Sequence, residues 1–377
     1  MDDWEEKRRL AKLGGDDGSG LHPLVQTLHF DSPLLSADYR LVQLDKGLAD
    51  HIRSGQQLLI KGEAEESPVF CTDSATDSVK EAETSNALLL LPQLATPPLE
   101  DKENSQLQRK VVAMKASYLE LTRQPRISLS KLKTLLQAAS FSFPGPVEPS
   151  QPLLTLEYLL ASIQGSEAEV KEALEKLPVC LIQGGYRWMD ADSLHSLMSE
   201  LLDACDANEL NPERLEEKAV SDLLHSPPPA WLAKFLAMFA SKKDDGSWCL
   251  GMEKVAKLVG ESTLRLAQCY RFEDFMETWR GVLPIGVQPQ LSLLQDVALV
   301  EGEGERRTIR YFPVSELPEE PKARLEKLFH ERARWPEAEL TAYLADLAGD
   351  KKTLGSLLLK HCRASTDSSG LRMLSLK

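Results

Sequence analysis

Residues 166–189 read SEAEVKEALEKLPVCLIQGGYRWM. Ser166 followed three residues later by Glu169 is a capping box, which satisfies two orphan backbone N–H groups and starts a helix. Val170, Leu174 and Leu177 then fall on one face at helical spacing. After Pro178 the pattern changes. Two β-like arms flank Gly184-Gly185, a pair suited to the positive-φ positions of a tight hairpin turn. The stretch is therefore a helix followed at once by a hairpin.

Upstream lie two more helical stripes, Leu132/Leu135/Leu136/Ala139 and Leu156/Leu159/Leu160/Ile163. Three helices and then a hairpin is the order of a winged helix. The order recurs with variations. Leu194, Leu197, Met198, Leu201 and Leu202 form one stripe, Trp231, Phe235 and Phe239 another, and Phe272, Phe275, Met276 and Trp279 a third. VALVEGEGERRTIRYFPV (297–314) then reads as a long hairpin with Gly302 and Gly304 in its turn. A last unit carries Leu325/Leu328/Phe329, Leu340/Tyr343/Leu344/Leu347 and Leu354/Leu357/Leu358, and closes with the turn and alternating strand SSGLRMLSLK (368–377). The expected organisation is three tandem winged helices, at 128–191, 192–318 (enlarged) and 319–377.

The N-terminal third has another character. Residues 1–20, with GGDDGSG, read as a flexible leader. Residues 21–100 carry short β-like runs, YRLVQL, QQLLIKG, SPVFCT and NALLLLP, with a short helix around KGLADHIR. NALLLLP is apolar on both faces, as suits a strand covered on both sides. About five short strands make a thin, incomplete barrel whose edges either close on themselves or are completed by another chain. Residues 101–127 read as a basic linker. The fold class is thus α+β, a small β domain followed by winged helices.

Composition narrows the function classes. The 377 residues have a hydrophobic fraction of 42%, that of a globular protein. Their apolar runs are far too short to span a membrane. MDDWEEKRRL lacks the apolar core of a secretory signal. Six scattered cysteines, none in C-x-x-C, read as reduced thiols of cytosol or nucleus. The net charge of −14 is unevenly spread: −10 over 1–101, +6 over 102–133, −11 over 134–222, −3 over 223–320 and +4 over 321–377. An acidic average argues against coating nucleic acid with the whole surface but leaves local contacts open.

Catalytic and cofactor motifs are missing. AGDKKTLGSLLLKHCRAS (348–365) starts like a phosphate-binding loop, but Lys351 stands where the glycine before Lys352-Thr353 is needed, and the preceding element is helical. Cysteine and histidine do not gather at zinc spacing, and there is no G-x-S-x-G or H-E-x-x-H. No enzyme activity, cofactor or metal is expected. Lys351 and Lys352 at a helix N-terminus are instead candidates to hold phosphate. With Lys360, and with Arg363 and Arg372 on the closing hairpin, they form a candidate contact to the DNA backbone, single- or double-stranded, that does not read sequence. The alternative is a solvated lysine turn.

QQLLIKG, VFCT and ETSNALLLLP (83–92), then LIQGGYRWM, ALVEGEGERRTIRYFPVSELPEE (298–320) and RWPEAELTAYLADLAGDKKTLGSLLLKH (334–361), resemble in the same order the sister-chromatid-cohesion family Dcc-one. These are small accessory subunits of an alternative, cohesion-specific replication factor C clamp loader. The resemblance covers about residues 20–362. It implies that the β domain joins the large loader subunit and a very small third subunit in a shared β-barrel, with Leu88, Leu89, Leu90 and Leu91 in the joining strand. It also implies a tandem of three winged helices, contacts to the leading-strand DNA polymerase epsilon and to DNA, indirect action on the sliding clamp, a nuclear location, and ATP hydrolysis by other subunits. A free-standing winged-helix transcription regulator is the rival reading. Such a protein usually has a basic recognition helix, whereas the helix over 166–177 carries Glu167, Glu169, Glu172 and Glu175 against Lys171 and Lys176.

Overall fold

The computed structural model describes residues 25–30, 34, 36–92, 106–147, 152–207, 209–284, 286–348, 350–367 and 370–377. The leader expected over 1–20 lies outside them. The chain mixes helices and sheets throughout and divides into two compact units. One comprises residues up to Phe70 together with Asp77–Arg123; the other comprises Cys71–Thr76 and Gln124–Lys377.

In the first unit, β1 (Val25–Phe30) is followed by β2 (Val42–Gln43), α1 (Lys46–Arg53), β3 (Leu59–Lys61), β4 (Val69–Cys71), β5 (Thr76–Leu90), β6 (Gln106–Val111) and β7 (Ala113–Arg123). Five strands form one sheet in the order β2-β7-β5-β4-β3, and β1 and β6 pair in parallel. Helix α1 lies where KGLADHIR placed it. Asp45 caps it, accepting from the Leu48 N–H at 2.7 Å.

Three expectations are corrected here. Residues 106–123 are strands, not linker. AMKASYLELTR (113–123) mixes polar and apolar side chains on a half-exposed strand whose one buried residue is Ala113, so its composition resembles that of a solvated segment. NALLLLP is not a separate strand but the far end of the 15-residue β5. The near end is polar: Lys80 stands opposite Glu120 in the ladder, and Asp77 pairs with Arg123 across the strands at 2.9 Å. Nor is the far end covered on both sides within this chain: Leu88 and Leu89 are each 38% exposed.

In the second unit one element order appears three times: helix, short strand, helix, helical segment, two strands. The first repeat runs α2 (Ser130–Ala138), β8 (Ser140–Phe141), α3 (Leu156–Ser162), α4 (Glu167–Lys176), β9 (Val179–Ile182), β10 (Gly185–Met189). Then come α5 (Ala191–Asp206), α6 (Glu217–Leu223), α7 (Pro229–Phe239) and the hairpin β11 (Ala240–Lys242) and β12 (Trp248–Leu250). The second repeat is α8 (Met252–Ala267), β13 (Cys269–Arg271), α9 (Phe272–Val282), a 3-10 turn at Leu291–Leu294, β14 (Ala298–Glu301) and β15 (Thr308–Tyr311). The third is α10 (Pro321–Glu331), β16 (Trp335–Pro336), α11 (Glu337–Leu344), α12 (Lys351–His361), β17 (Cys362–Thr366) and β18 (Arg372–Leu376). Each sheet places its last strand in the middle: β8-β10-β9, β13-β15-β14 and β16-β18-β17. The first strand pairs antiparallel in the second and third repeats and parallel in the first.

Local chemistry explains the joints. The capping box at Ser166 forms, and Thr76 joins it: its hydroxyl donates to Glu169 at 2.5 Å and accepts from the Ser166 N–H at 2.9 Å. The hairpin turn lies one residue earlier than Gly184-Gly185 suggests. Ile182 pairs with Gly185, so the two turn residues are Gln183 and Gly184, with φ 50° and 80°. Gly185 is needed for space instead, since a Cβ there would lie 2.7 Å from the Leu153 side chain.

The aromatic stripes are core. Trp231 stacks on Phe235 at 5.4 Å between centroids, and Phe235 meets Phe239 at 5.3 Å. Trp279 is fully buried and its indole N–H donates to the Ala256 carbonyl at 3.0 Å. Its ring lies against Gly260, where a Cβ would come within 2.7 Å of it. Ala is a better helix former than Gly by about 1 kcal/mol, but overpacking a rigid buried ring costs about 1–3 kcal/mol. Gly260→Ala is therefore expected to lower stability by about 1 kcal/mol net, read from urea unfolding. A gain in stability would show that the ring can move aside.

Candidate interface residues

On β5 the expected partner strand is interrupted. Register with β7 holds from Asp77 to Glu83, breaks, and resumes at Leu88 opposite Lys115. The Thr84 hydroxyl holds the bulge, donating to the carbonyls of Asn86 (2.6 Å) and Ala116 (3.2 Å). Beyond it Leu89 lies opposite Met114, which is 45% exposed, and Leu90 opposite Ala113, which is buried. Successive strand residues face opposite sides of a sheet. Leu88 and Leu89 thus leave apolar side chains open on both sides, with Leu90 and Leu91 half-buried next to them. Exposed leucines on both faces of one strand are unusual for a sheet that completes its own core. They mark this end of the strand as the candidate partner surface.

Helix α12 carries the candidate phosphate contacts. Asp350 caps it, as its position suggested, accepting from the Thr353 N–H at 2.6 Å, and that bond holds its carboxyl below the usual range. The helix end is therefore already occupied by a carboxylate, and anion binding there falls to the lysines. Lys351 and Lys352 are exposed at this end, while Lys360 and Arg363 are exposed at the other. At 1.5 Å per residue the two groups stand about 13 Å apart along the axis, so they do not form one cluster. Arg372 on β18 pairs with Glu337 at 3.3 Å, which lessens its availability to an anion. Among the described residues the other four basic side chains make no ion pair.

Sequence reasoning missed a cleft of about 1340 Å³ in the second unit. It is lined from α2, the end of α4, α7, α8 and the segment 311–319, and by eight Lys/Arg against five Asp/Glu. Its cations come from distant parts of the sequence, so no local motif announces it. Lys234 is half-buried, and its ammonium donates to the carbonyls of Glu175 (2.5 Å) and Leu174 (3.4 Å) at the end of α4. Burial lowers its pKa. Lys257 pairs with Asp296 at 2.6 Å, and Arg265 with Asp192 at 2.5 Å. Glu261 is pushed upward by burial beside Tyr311, whose own pKa burial raises to about 12. Among the described residues no group of three His, Cys, Asp or Glu is arranged to hold a metal, and no helix is long and apolar enough to cross a membrane.

The family model for the sister chromatid cohesion protein Dcc1 matches residues 39–344. The chain belongs to the Dcc1 family. It is 30% identical over 375 residues to the sister chromatid cohesion protein DCC1 of Xenopus laevis, covering 97% of this chain and 95% of that one. Against the Danio rerio protein of the same name the identity is 31%, over 95% and 93% of the two chains. Against the Homo sapiens one it is 28%, over 97% and 95%. The family match thus takes in β5 and the cleft residues up to Arg324, but ends before Lys351 and the rest of α12. The basic helix is the part of the candidate surface that this match leaves out.

Glu261 supplies a pH test. Its folded-state pKa lies above its unfolded value, so the stability it allows is fully present below the unfolded pKa and is lost as pH rises through the folded one. Glu261→Gln removes the titration. The variant should match the parent near pH 4 and become the more stable of the two as pH rises towards 8. Parallel urea titrations check this, and a gap that is constant with pH would overturn it.

Proposed function

We propose that this chain is a non-catalytic accessory subunit of an alternative, cohesion-specific clamp loader. It acts in DNA replication and sister-chromatid cohesion in the nucleus. In this reading the first unit is part of a β-barrel shared with the large loader subunit and a very small third subunit. The three repeats of the second unit are winged helices that bridge DNA polymerase epsilon and DNA, and the sliding clamp is reached indirectly through the assembled loader. Family membership supports the cohesion role, and the thrice-repeated element order supports the winged-helix reading. The observation that carries the assembly role is Leu88 and Leu89 exposed on opposite faces of β5. A free-standing transcription regulator is less well supported. The exposed face of α4 is laced by Glu167–Lys171 and Glu172–Lys176 pairs at 2.5 Å, a self-neutralised surface rather than one for a DNA groove.

Leu89 is open in the free chain, so Leu89→Asp should leave this protein folded and release the large loader subunit in co-purification. Retention of that subunit by a folded L89D variant would refute the assembly role.

The DNA part of the reading rests on Lys351, Lys352, Lys360, Arg363 and, less strongly, the paired Arg372. Contacts to phosphate alone release counterions and carry no sequence preference. Lys351→Glu with Lys352→Glu should weaken binding to all sequences alike and flatten the slope of log K against log salt by about one unit for each phosphate no longer held. An unchanged slope in the assembled module would return these lysines to solvent.

A further inference from the structure

The outer strand of the first unit belongs to neither surface above. β3 lies at one end of the five-stranded sheet, next to β4. An open sheet edge is normally guarded by charge, proline or a covering element. Here Ile60 is instead 67% exposed and Leu59 50%. Lys61 ends the strand, half-buried. Gly62 follows at φ 151°, a backbone that glycine adopts and other residues resist. The chain then turns, with the Glu66 N–H donating to the Glu63 carbonyl at 3.0 Å. Glu63 and Glu65 are exposed.

Ile60-Lys61-Gly62-Glu63 is an apolar residue, a lysine, a spacer and a glutamate. No other lysine in the sequence is followed two residues later by glutamate. An enzyme that modifies lysines without a separate ligase must recognise them by their neighbours. The SUMO-conjugating enzyme does so with an apolar contact for the residue before the lysine and a basic one for the glutamate two residues after it, and it takes the segment extended and exposed. β3 supplies the extension, Ile60 the apolar contact and Glu63 the charge. Glu65 and Glu66 add negative charge on the same side of the lysine in sequence, which favours encounter with a basic surface. A lysine that merely guards the edge accounts for neither the exposed Ile60 nor the placing of Glu63.

We infer that Lys61 is an acceptor for a ubiquitin-like modifier of the SUMO class. The Lys61 amine attacks the thioester carbonyl that joins the modifier's C-terminal glycine to the enzyme's cysteine. The isopeptide C–N bond forms, the C–S bond breaks, the cysteine leaves as thiolate, and the amine's proton passes to solvent. A folded domain tethered at Lys61 then bars another strand from adding to β3. The site is that of the chain before any partner covers this edge. It uses neither the Leu88–Leu91 end of β5 nor α12, so it can fail while the clamp-loader reading stands.

The test is incubation of the full chain with the SUMO-activating enzyme, the SUMO-conjugating enzyme, SUMO and ATP, without a ligase. One conjugate is expected on a denaturing gel, with the modifier's C-terminal remnant on Lys61 by mass spectrometry. Lys61→Arg keeps the charge and should abolish it. Ile60→Ser and Glu63→Ala, both at exposed side chains, should each lower the initial rate about tenfold, the size expected for one lost apolar contact or one lost charged hydrogen bond. Lys80→Arg, exposed on β5 and outside the pattern, should leave the rate unchanged. Absence of a conjugate would overturn the proposal and leave Lys61 as a guard of the edge. So would a conjugate that persists in the Lys61→Arg variant, or an initial rate that Glu63→Ala does not change.

Discussion

Arg324 is a charge taken almost wholly out of water, with 1% of its side chain exposed. A buried guanidinium is tolerable only when its donors are met. Here Nε donates to the Pro318 carbonyl at 2.6 Å, and Nη1 to the Tyr343 carbonyl at 3.1 Å and to the Asp346 carboxylate. Those acceptors lie before α10, at the end of α11 and just beyond it, so one side chain fixes where the third repeat starts and how its first two helices meet. Asp346 then reaches Arg126, and Glu319, one residue past Pro318, caps the start of α2. Through that chain of polar contacts the third repeat is tied to the first, and the wall of the cleft next to α2 is set.

The repeats were largely legible because their signals are local. A capping box, a Gly-containing turn and leucines at helical spacing each act within one turn of chain, and the packed structure keeps them. Even there the hairpin turn shifted by a residue. Gln183 accepts a positive φ, freeing Gly185 for the close approach of Leu153 that no turn rule could see. What stayed hidden was non-local. Residues 76–83 and 106–123 look polar and loop-like until the ladder sets Lys80 opposite Glu120 and Asp77 pairs with Arg123 across strands. The cleft lysines, at 133, 234 and 254, share nothing in sequence; only the tertiary fold brings them together.

The two units answer the burial problem differently. In the second, the large aromatic residues Trp231, Trp279 and Trp335 are fully enclosed by this chain's own side chains. Burying one such ring is worth about 3 kcal/mol, and the fold has no need of a partner there. In the first, Phe30, Ile60, Leu89 and Met114 remain between 38% and 67% exposed. Much of its apolar surface therefore still contacts water, where association can stabilise it; the second unit keeps its large rings inside and exposes single leucines such as Leu266 and Leu359. A partner that covers β5 would gain most from the side chains flanking the bulge, where both faces of the strand are open.

Helix α12 sits between these extremes. None of its eleven residues is fully buried; Leu354 and Leu358 pack only partly against the core of the third repeat. A helix this short is marginal by itself in water, and two lysines at its positive end oppose the macrodipole. The Asp350 cap offsets that repulsion through the Thr353 N–H but leaves both ammonium groups in solvent. An anion seated against Lys351 and Lys352 would relieve what the cap does not, so ligand binding and helix stability are coupled at this end. That coupling distinguishes α12 from α4, whose Glu–Lys pairs neutralise its face from within and leave nothing for an anion to stabilise.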